Sequence, residues 1–481
     1  RLQPRPDAVV YSPELEVVAV RPRARFGAWY EMFVRSQGAE PGKSGTFKDA
    51  ERRLRDIRDM GFDVVYLPPI HPIGKMNRKG RNNTPQAGPD GPGSPWAIGN
   101  EHGGHTAIEP SLGTMEDFDH FVKTANELGL EVALDFAIQA SPDHPWVKEH
   151  PEWFHRRPDG TIKFAENPPK KYEDIYPVNF DTPDRGGLWE EMYRTLFFWI
   201  GHGVKIFRVD NPHTKPLCFW EWLIARIQED HPDTIFLCEA FTRPPMMKAL
   251  AKVGFTQSYT YFAWRNSRQE LTEYLTELTQ SGMQDYLMPN FFTNTPDILT
   301  EYLQKGGRPA FKVRLVLAAT LSPSYGIYSG FELLENTPLR PGSEEYGNSE
   351  KYEIRVRDWD QPGNIKEFIA RVNAIRRGNP ALHSLTNLRF FRTDNDQILL
   401  YGKATEDKSN VIIVAVNLDP FHPHDCTAWV PLDEIDVAPG GSYEVCDLLT
   451  GARYTWSHQN YVRLDPEFEP AHILRVGRGS E

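Results

Sequence analysis

At 481 residues, 40% hydrophobic and 25% charged, the chain holds enough apolar material for a large core and more than one domain. Its 54 Lys and Arg stand against 66 Asp and Glu, and a net charge of −12 argues against a nucleic-acid surface or an anionic-membrane partner. No stretch is apolar and long enough to span a bilayer, and no signal-peptide pattern opens the sequence. Cys218, Cys238, Cys426 and Cys446 form no CxxC pair, so they read as free thiols in a reducing, cytoplasmic setting.

Arg1 rather than Met comes first, so the chain is expected to lack an N-terminal region, and residues 1–24 read as a linker. Apolar runs then alternate with amphipathic stretches. Trp29–Val34, Asp63–Leu67 and Glu131–Phe136 are the first three, followed by runs ending at Asp210 and Glu239. Gln257–Phe262 and Asp285–Phe292 are weaker, and Val313–Leu321 is the candidate for the last strand. Eight strand–helix units predict an α/β fold, a (β/α)8 TIM barrel over residues 25–385. An open doubly wound sheet is the alternative, but no GxGxxG turn follows the first run.

Two insertions exceed ordinary connections. Residues 68–104 are rich in Gly, Pro and Asn, and residues 137–181 form a loop-rich inserted domain after the third strand. From residue 386 to 481 short alternating runs separated by turn-formers predict a C-terminal antiparallel β-sandwich.

The chemistry centres on two carboxylates. Asp210 and Glu239 each end an apolar run and lie 29 residues apart, close to one strand–helix–strand repeat of about 30. Both would sit at the C-terminal ends of neighbouring parallel strands, where a β/α barrel builds its site. Asp297 lies two repeat lengths beyond Glu239. A single strand-end carboxylate is most often a helix cap. Three at multiples of one repeat point to acid–base chemistry at a glycosidic bond.

Phe207-Arg208-Val209-Asp210, Phe236-Leu237-Cys238-Glu239, Gly61–Ile70 and Ala133–Phe136 resemble four strands of the retaining α-amylase superfamily of glycoside hydrolases and transglycosylases. Histidines that most of its hydrolases carry are replaced by Gln139-Ala140 and by Asn294-Thr295-Pro296. Five segments resemble more closely the bacterial maltosyltransferases that extend α-1,4-glucans from α-maltose 1-phosphate. They are Arg78–Asn83, Gln139–Trp146, Glu166–Tyr172, Asp210–Pro216 and Glu350–Tyr352.

That resemblance implies Asp210 as nucleophile, Glu239 as acid/base and Asp297 as a sugar-binding partner that favours ring distortion, with Arg208 orienting the nucleophile. It implies Asn167, Tyr172 and Asn211 as phosphate contacts, with Lys170 a weaker candidate. Lys79, Asn83 and Gln139 on one side and Lys351 and Tyr352 on the other are implied donor-sugar contacts. Asp135 reads as structural. His105 and His144 are either sugar contacts or satisfied structural histidines, with the structural reading preferred. The implied partners are the donor, a glucan or malto-oligosaccharide acceptor and inorganic phosphate, with a homodimer where an N-terminal domain is present. No cofactor is expected, and the scattered histidines show no metal-ligand spacing, so no catalytic metal either. An α-glucan hydrolase or phosphorylase-like enzyme on the same scaffold, and a catalytically dead glucan-binding protein, are the competing readings.

Overall fold

In the computed structural model, residues 19–168 and 170–477 are described, so the first 18 residues of the expected linker lie outside them. Eight short strands form one parallel sheet: β1 (Gly27–Glu31), β2 (Val64–Leu67), β3 (Glu131–Phe136), β4 (Ile206–Asp210), β5 (Ile235–Glu239), β6 (Gln257–Ser258), β7 (Phe291–Phe292) and β8 (Ser324–Tyr328). Consecutive strands are neighbours, and β8 pairs back onto β1. A Ser258–Pro289 bridge joins β6 to the start of β7 and closes the ring. A helix follows every strand, from Phe47–Asp59 after β1 to Lys366–Gly378 after β8. This is the expected (β/α)8 barrel.

Each strand is two-faced, because successive side chains point to opposite sides. Trp29, Val64, Tyr66, Ala133, Ile206, Ile235, Leu237, Tyr259 and Phe292 fill the barrel interior as one cluster. Their neighbours Tyr30, Val65, Leu134, Phe207 and Phe236 turn outward into the core beneath the helices. The same alternation sends Arg208 and Asp210 inward after Ile206, and Glu239 inward after Leu237. Capping boxes at Thr46/Asp49, Thr114/Asp117 and Ser267/Glu270 fix where three of the helices begin.

One predicted strand was misplaced. Val313–Leu321 belongs to the helix Glu301–Leu321, and the eighth strand is Ser324–Tyr328. That half of the helix is buried on every side between barrel and C-terminal domain, so no polar face marks its period. The two weak runs shorten to β6 and β7, with 3-10 turns at Tyr261–Trp264 and Met283–Asp285.

Beyond the barrel lie β9 (Leu388–Thr393), β10 (Ile398–Ala404), β11 (Val411–Asn417), β12 (His424–Trp429), β13 (Tyr443–Asp447), β14 (Arg453–Trp456), β15 (Gln459–Leu464) and β16 (Ala471–Val476). All pair antiparallel, in the order β14-β13-β16-β11-β10-β9-β12-β15. Ile398, Leu400, Ile413, Ala428, Val445 and Leu474 form its own interior, the expected sandwich. The opposite face, with Leu399, Tyr401, Ile412 and Val414, joins the barrel's helical core. Tyr401 Oη meets Thr320 Oγ1 at 2.6 Å, and Tyr302 Oη donates to the Leu418 carbonyl at 2.8 Å.

In β8, Gly326 lets the Phe292 ring enter the barrel interior: a Cβ there would stand 2.5 Å from the ring. Gly326→Ala is therefore expected to lower unfolding free energy by about 1–3 kcal/mol through overpacking. Urea denaturation of both proteins checks it; an unchanged midpoint would contradict the packing.

Candidate active site

Strand register brings the key groups to one height. Asp210 on β4 lies directly across from Glu239 on β5, and Arg208 lies across from Asp135 on β3. Neighbouring strands are about 4.8 Å apart, so all four side chains project into one end of the barrel.

Arg208 is the hub. One guanidinium nitrogen donates to Asp135 Oδ2 at 2.9 Å and to Asp210 Oδ1 at 2.8 Å, and the other lies 3.5 Å from Glu239 Oε1. Tyr66 Oη, at 2.6 Å, and Trp96 Nε1, at 3.2 Å, donate to the same Asp135 oxygen. Asp135 is thus a buried anchor for Arg208. Burial raises its carboxyl to about 7, with Arg208 pulling the other way. Burial likewise raises Glu239 to about 8 against the pull of Arg208, with Asp210 adding to the rise. Burial works against the Arg208 charge too, but Tyr66, Asp135, Glu239 and Asp210 hold it firmly protonated.

Asn211 joins the two strand ends. Its backbone N–H donates to Glu239 Oε2 at 3.1 Å, and its side-chain amide donates to Asp210 Oδ2 at 3.3 Å. To do both it adopts a left-handed backbone, φ 42° and ψ 52°, which costs a non-glycine residue roughly 1–3 kcal/mol. Asn tolerates this region better than most residues.

Across the barrel mouth, Asp297 pairs with Lys351, which also lies 3.1 Å from Glu345 Oε2. Surrounding protein works to raise the Asp297 carboxyl, but Lys351, with Lys170 and Arg208, holds it below its ordinary value. Tyr352 is buried, its ring centroid 5.6 Å from the Lys351 ammonium. Asn167 and Tyr172 sit on a small hairpin, Ala165–Asn167 paired with Lys170–Tyr172. Lys170 reaches Glu345, so the hairpin leans on the Lys351 loop. Burial raises the Tyr172 phenol to about 12, and Lys351 opposes it.

Buried Lys79 pairs with Glu173, the residue that follows the hairpin, and Asn83 keeps a buried Oδ1 without a partner among the described residues. Gln139 Nε2 donates to the Trp96 carbonyl at 3.1 Å, which links it to Asp135 through Trp96. Arg81 pairs with Glu353 at 2.5 Å, and Asn82 Oδ1 accepts from Asn348 N at 2.8 Å, tying this loop to the one carrying Lys351. Asp135, Arg208, Asp210 and Glu239 therefore lie on β3–β5, Asn211 on the turn after β4 and Asp297 on the loop after β7, while Lys79, Asn83, Asn167, Tyr172, Lys351 and Tyr352 lie on interlocked loops.

Sequence reasoning missed Glu345, Glu173 and Asp174. Asp174 is buried with neither carboxylate oxygen partnered among the described residues, and burial raises it to about 6 beside Lys79.

His105 and His144 are satisfied structural groups. They meet at 3.1 Å, His105 Nε2 reaches the Ala137 carbonyl at 2.8 Å, and His105 stacks on Trp146 at 4.5 Å. One set of potential metal ligands does converge: His150, Glu152 and Asp184 offer atoms within 4.8 Å of one another. Asp184 is already engaged, accepting from Trp153 Nε1 at 3.1 Å and capping the helix Arg185–Gly201. All four cysteines are free.

A closed barrel with two carboxylates in register about one arginine is an arrangement suited to chemistry at a glycosidic bond. A family model described as "Alpha amylase, catalytic domain" matches residues 29–217, and one described as "GLGE, C-terminal" matches residues 390–476. Maltogenic α-amylase AmyB from Thermotoga neapolitana superposes with a TM-score of 0.73 at 20% identity, covering 95% of this chain and 100% of that one. An α-amylase from Lactobacillus plantarum gives 0.72 at 21%, covering 95% and 100%. These two share the fold.

Two curated relatives are far closer in sequence. The chain is 58% identical to an α-1,4-glucan:maltose-1-phosphate maltosyltransferase of Rhodospirillum rubrum over 98% of its own length and 69% of the relative's. It is also 58% identical to maltosyltransferase 1 of Streptomyces coelicolor, over 99% of this chain and 71% of that one. The chain belongs to the α-1,4-glucan:maltose-1-phosphate maltosyltransferase family.

The raised Glu239 carboxyl has a stability consequence. Above about 4.5 the unfolded chain ionises this group, whereas the folded chain keeps it protonated up to about 8, so it subtracts stability as pH rises between those values. Glu239→Gln lacks that titration. Its melting temperature is expected above wild type at pH 8, with the gap closing towards pH 5; a constant gap in thermal melts would contradict the shift.

Proposed function

We propose that this chain transfers a maltosyl unit from α-maltose 1-phosphate to the non-reducing end of an α-1,4-glucan, releasing inorganic phosphate with retention at C1. The observation that carries this reading is the register pair Asp210–Glu239 about Arg208, faced by a rim of ammonium, amide and phenol groups.

Asp210, oriented by Arg208 and Asn211, attacks C1 of the donor. The C1–O bond to phosphate breaks, and Glu239 passes its proton to the leaving oxygen. A nearly dianionic leaving group needs donors and positive charge, which Asn211, Tyr172, Asn167 and Lys170 supply. In the second half Glu239, now ionised, takes the proton from a glucan 4-hydroxyl as that oxygen attacks C1 and frees Asp210. A Glu239 carboxyl that stays protonated to about 8 suits the acid half of this cycle. Asp297 holds sugar hydroxyls and favours the distorted ring, with Lys351 keeping it ionised.

Lys79, Asn83, Gln139, Lys351 and Tyr352 bind the donor disaccharide, and Asp174 joins them beside Lys79. Polar groups of this kind discriminate sharply, since a ligand lacking the matching hydroxyl leaves them unpaired. Residues 25–385 are assigned to catalysis, with 137–181 as a domain inserted within the barrel and 386–481 as support. A reducing, cytoplasmic compartment suits four free thiols, and a homodimer is expected where an N-terminal domain is present.

Mixing protein, donor and a short malto-oligosaccharide tests the transfer. Phosphate release should depend on the acceptor, and products should lengthen by two glucose units; comparable free maltose would indicate a hydrolase instead. Asp210→Ala should lower turnover by roughly 10⁴-fold or more while leaving donor binding. Turnover near the wild-type rate would remove Asp210 from the nucleophile role.

A further inference from the structure

The turn that carries Asn211 is held by a side chain with no role in the mechanism above. Lys215 is half-buried, and its ammonium donates to the Asp210 carbonyl at 3.4 Å and the Asn211 carbonyl at 3.2 Å. Thr214 Oγ1 adds a bond to the Asn211 carbonyl at 2.8 Å, and Trp220 Nε1 holds the Pro212 carbonyl at 2.9 Å. Lys215 itself is anchored by its backbone N–H to Pro212 O at 3.1 Å and by Pro216, which opens the helix Leu217–Asp230.

These contacts address a specific problem. Asn211 aims one donor at each member of the reacting pair only while it stays left-handed, and that backbone has no intrinsic reason to persist. Two consecutive carbonyls turned towards one ammonium fix the peptide planes on either side of its Cα. We propose that Lys215 is a positioning residue that locks Asn211 in its left-handed conformation and sets the field at Glu239.

The charge placement supports the second half of that role. Asp210, Glu239 and Asp135 attract the ammonium, and Arg208 repels it. Glu239 is faced by Arg208 and Asp210 from β4, by Cys238 beside it on β5, by Tyr259 just past β6, by Asp297 from beyond β7 and by Lys215 on the turn, where His213 faces Lys215 and Asp210. Removing the Lys215 cation leaves Arg208 as the near positive group, so the acid/base should hold its proton to higher pH.

The test is a series at position 215, rested on the proposed pairing of Asp210 with Glu239 and run beside Asp210→Ala. Lys215→Met keeps the stem and removes charge and donors. It should lower kcat roughly 100-fold and raise donor KM only about threefold, since Asn211 is one of several groups proposed to meet the phosphate. The basic limb of its pH profile should move upward by roughly one unit. Lys215→Arg should recover most of kcat and restore the limb. If Lys215→Met does not fold, Lys215→Gln serves: it keeps a donor but no charge, so the limb still moves while melting temperature stays near wild type.

A charge-free variant with wild-type kcat and an unmoved limb overturns the proposal. So does a loss that tracks melting temperature alone and is no smaller in Lys215→Arg. An active Asp210→Ala sinks the pair itself; an inactive Asp210→Ala beside an unaffected Lys215→Met sinks only the lysine.

Discussion

A single guanidinium shared by three carboxylates holds this barrel mouth together. Asp135, Asp210 and Glu239 crowd into one end of the barrel, and Arg208 is the cation that opposes their uptake of protons there. The consequence is a division of labour by environment. Asp135 is consumed in holding Arg208, while Glu239 keeps its proton well above the usual carboxylate range. Similar side chains thereby take different tasks.

The second constraint is how far the loops depend on one another. Lys351 lies on a loop tied to the Asn82 turn through Asn348 and to the Lys170 hairpin through Glu345. Arg35 donates to the carbonyls of Glu350 and Lys351 at 2.8 and 2.9 Å, fastening the same loop to the end of β1. The groups proposed to face the sugar therefore sit on loops that are mutually braced rather than independently mobile. Such bracing is what precise orientation of a two-ring donor requires.

Much of this was legible in the residues because the barrel repeats. The 29-residue spacing of Asp210 and Glu239 placed both carboxylates at adjacent strand ends, and the register pairs them directly. Strands with strong β-branched and aromatic runs were found; β6 and β7, two residues each, were only roughly located. The eighth strand was misassigned because a helix buried on all sides carries no amphipathic signature. Asp174 and Glu345 were missed for a different reason. Their significance comes from loops folding over one another, and no local pattern encodes that Glu345 receives both Lys170 and Lys351.

The central claim is that Asp210 becomes covalently glycosylated during each cycle. The most direct measurement is to trap that species with a slowed maltosyl donor in a Glu239→Gln background, then map the added mass by peptide mass spectrometry. A disaccharide ester on Asp210, with α-configured products from the wild-type enzyme, is the predicted result. An adduct on another residue, or products inverted at C1, would contradict the account.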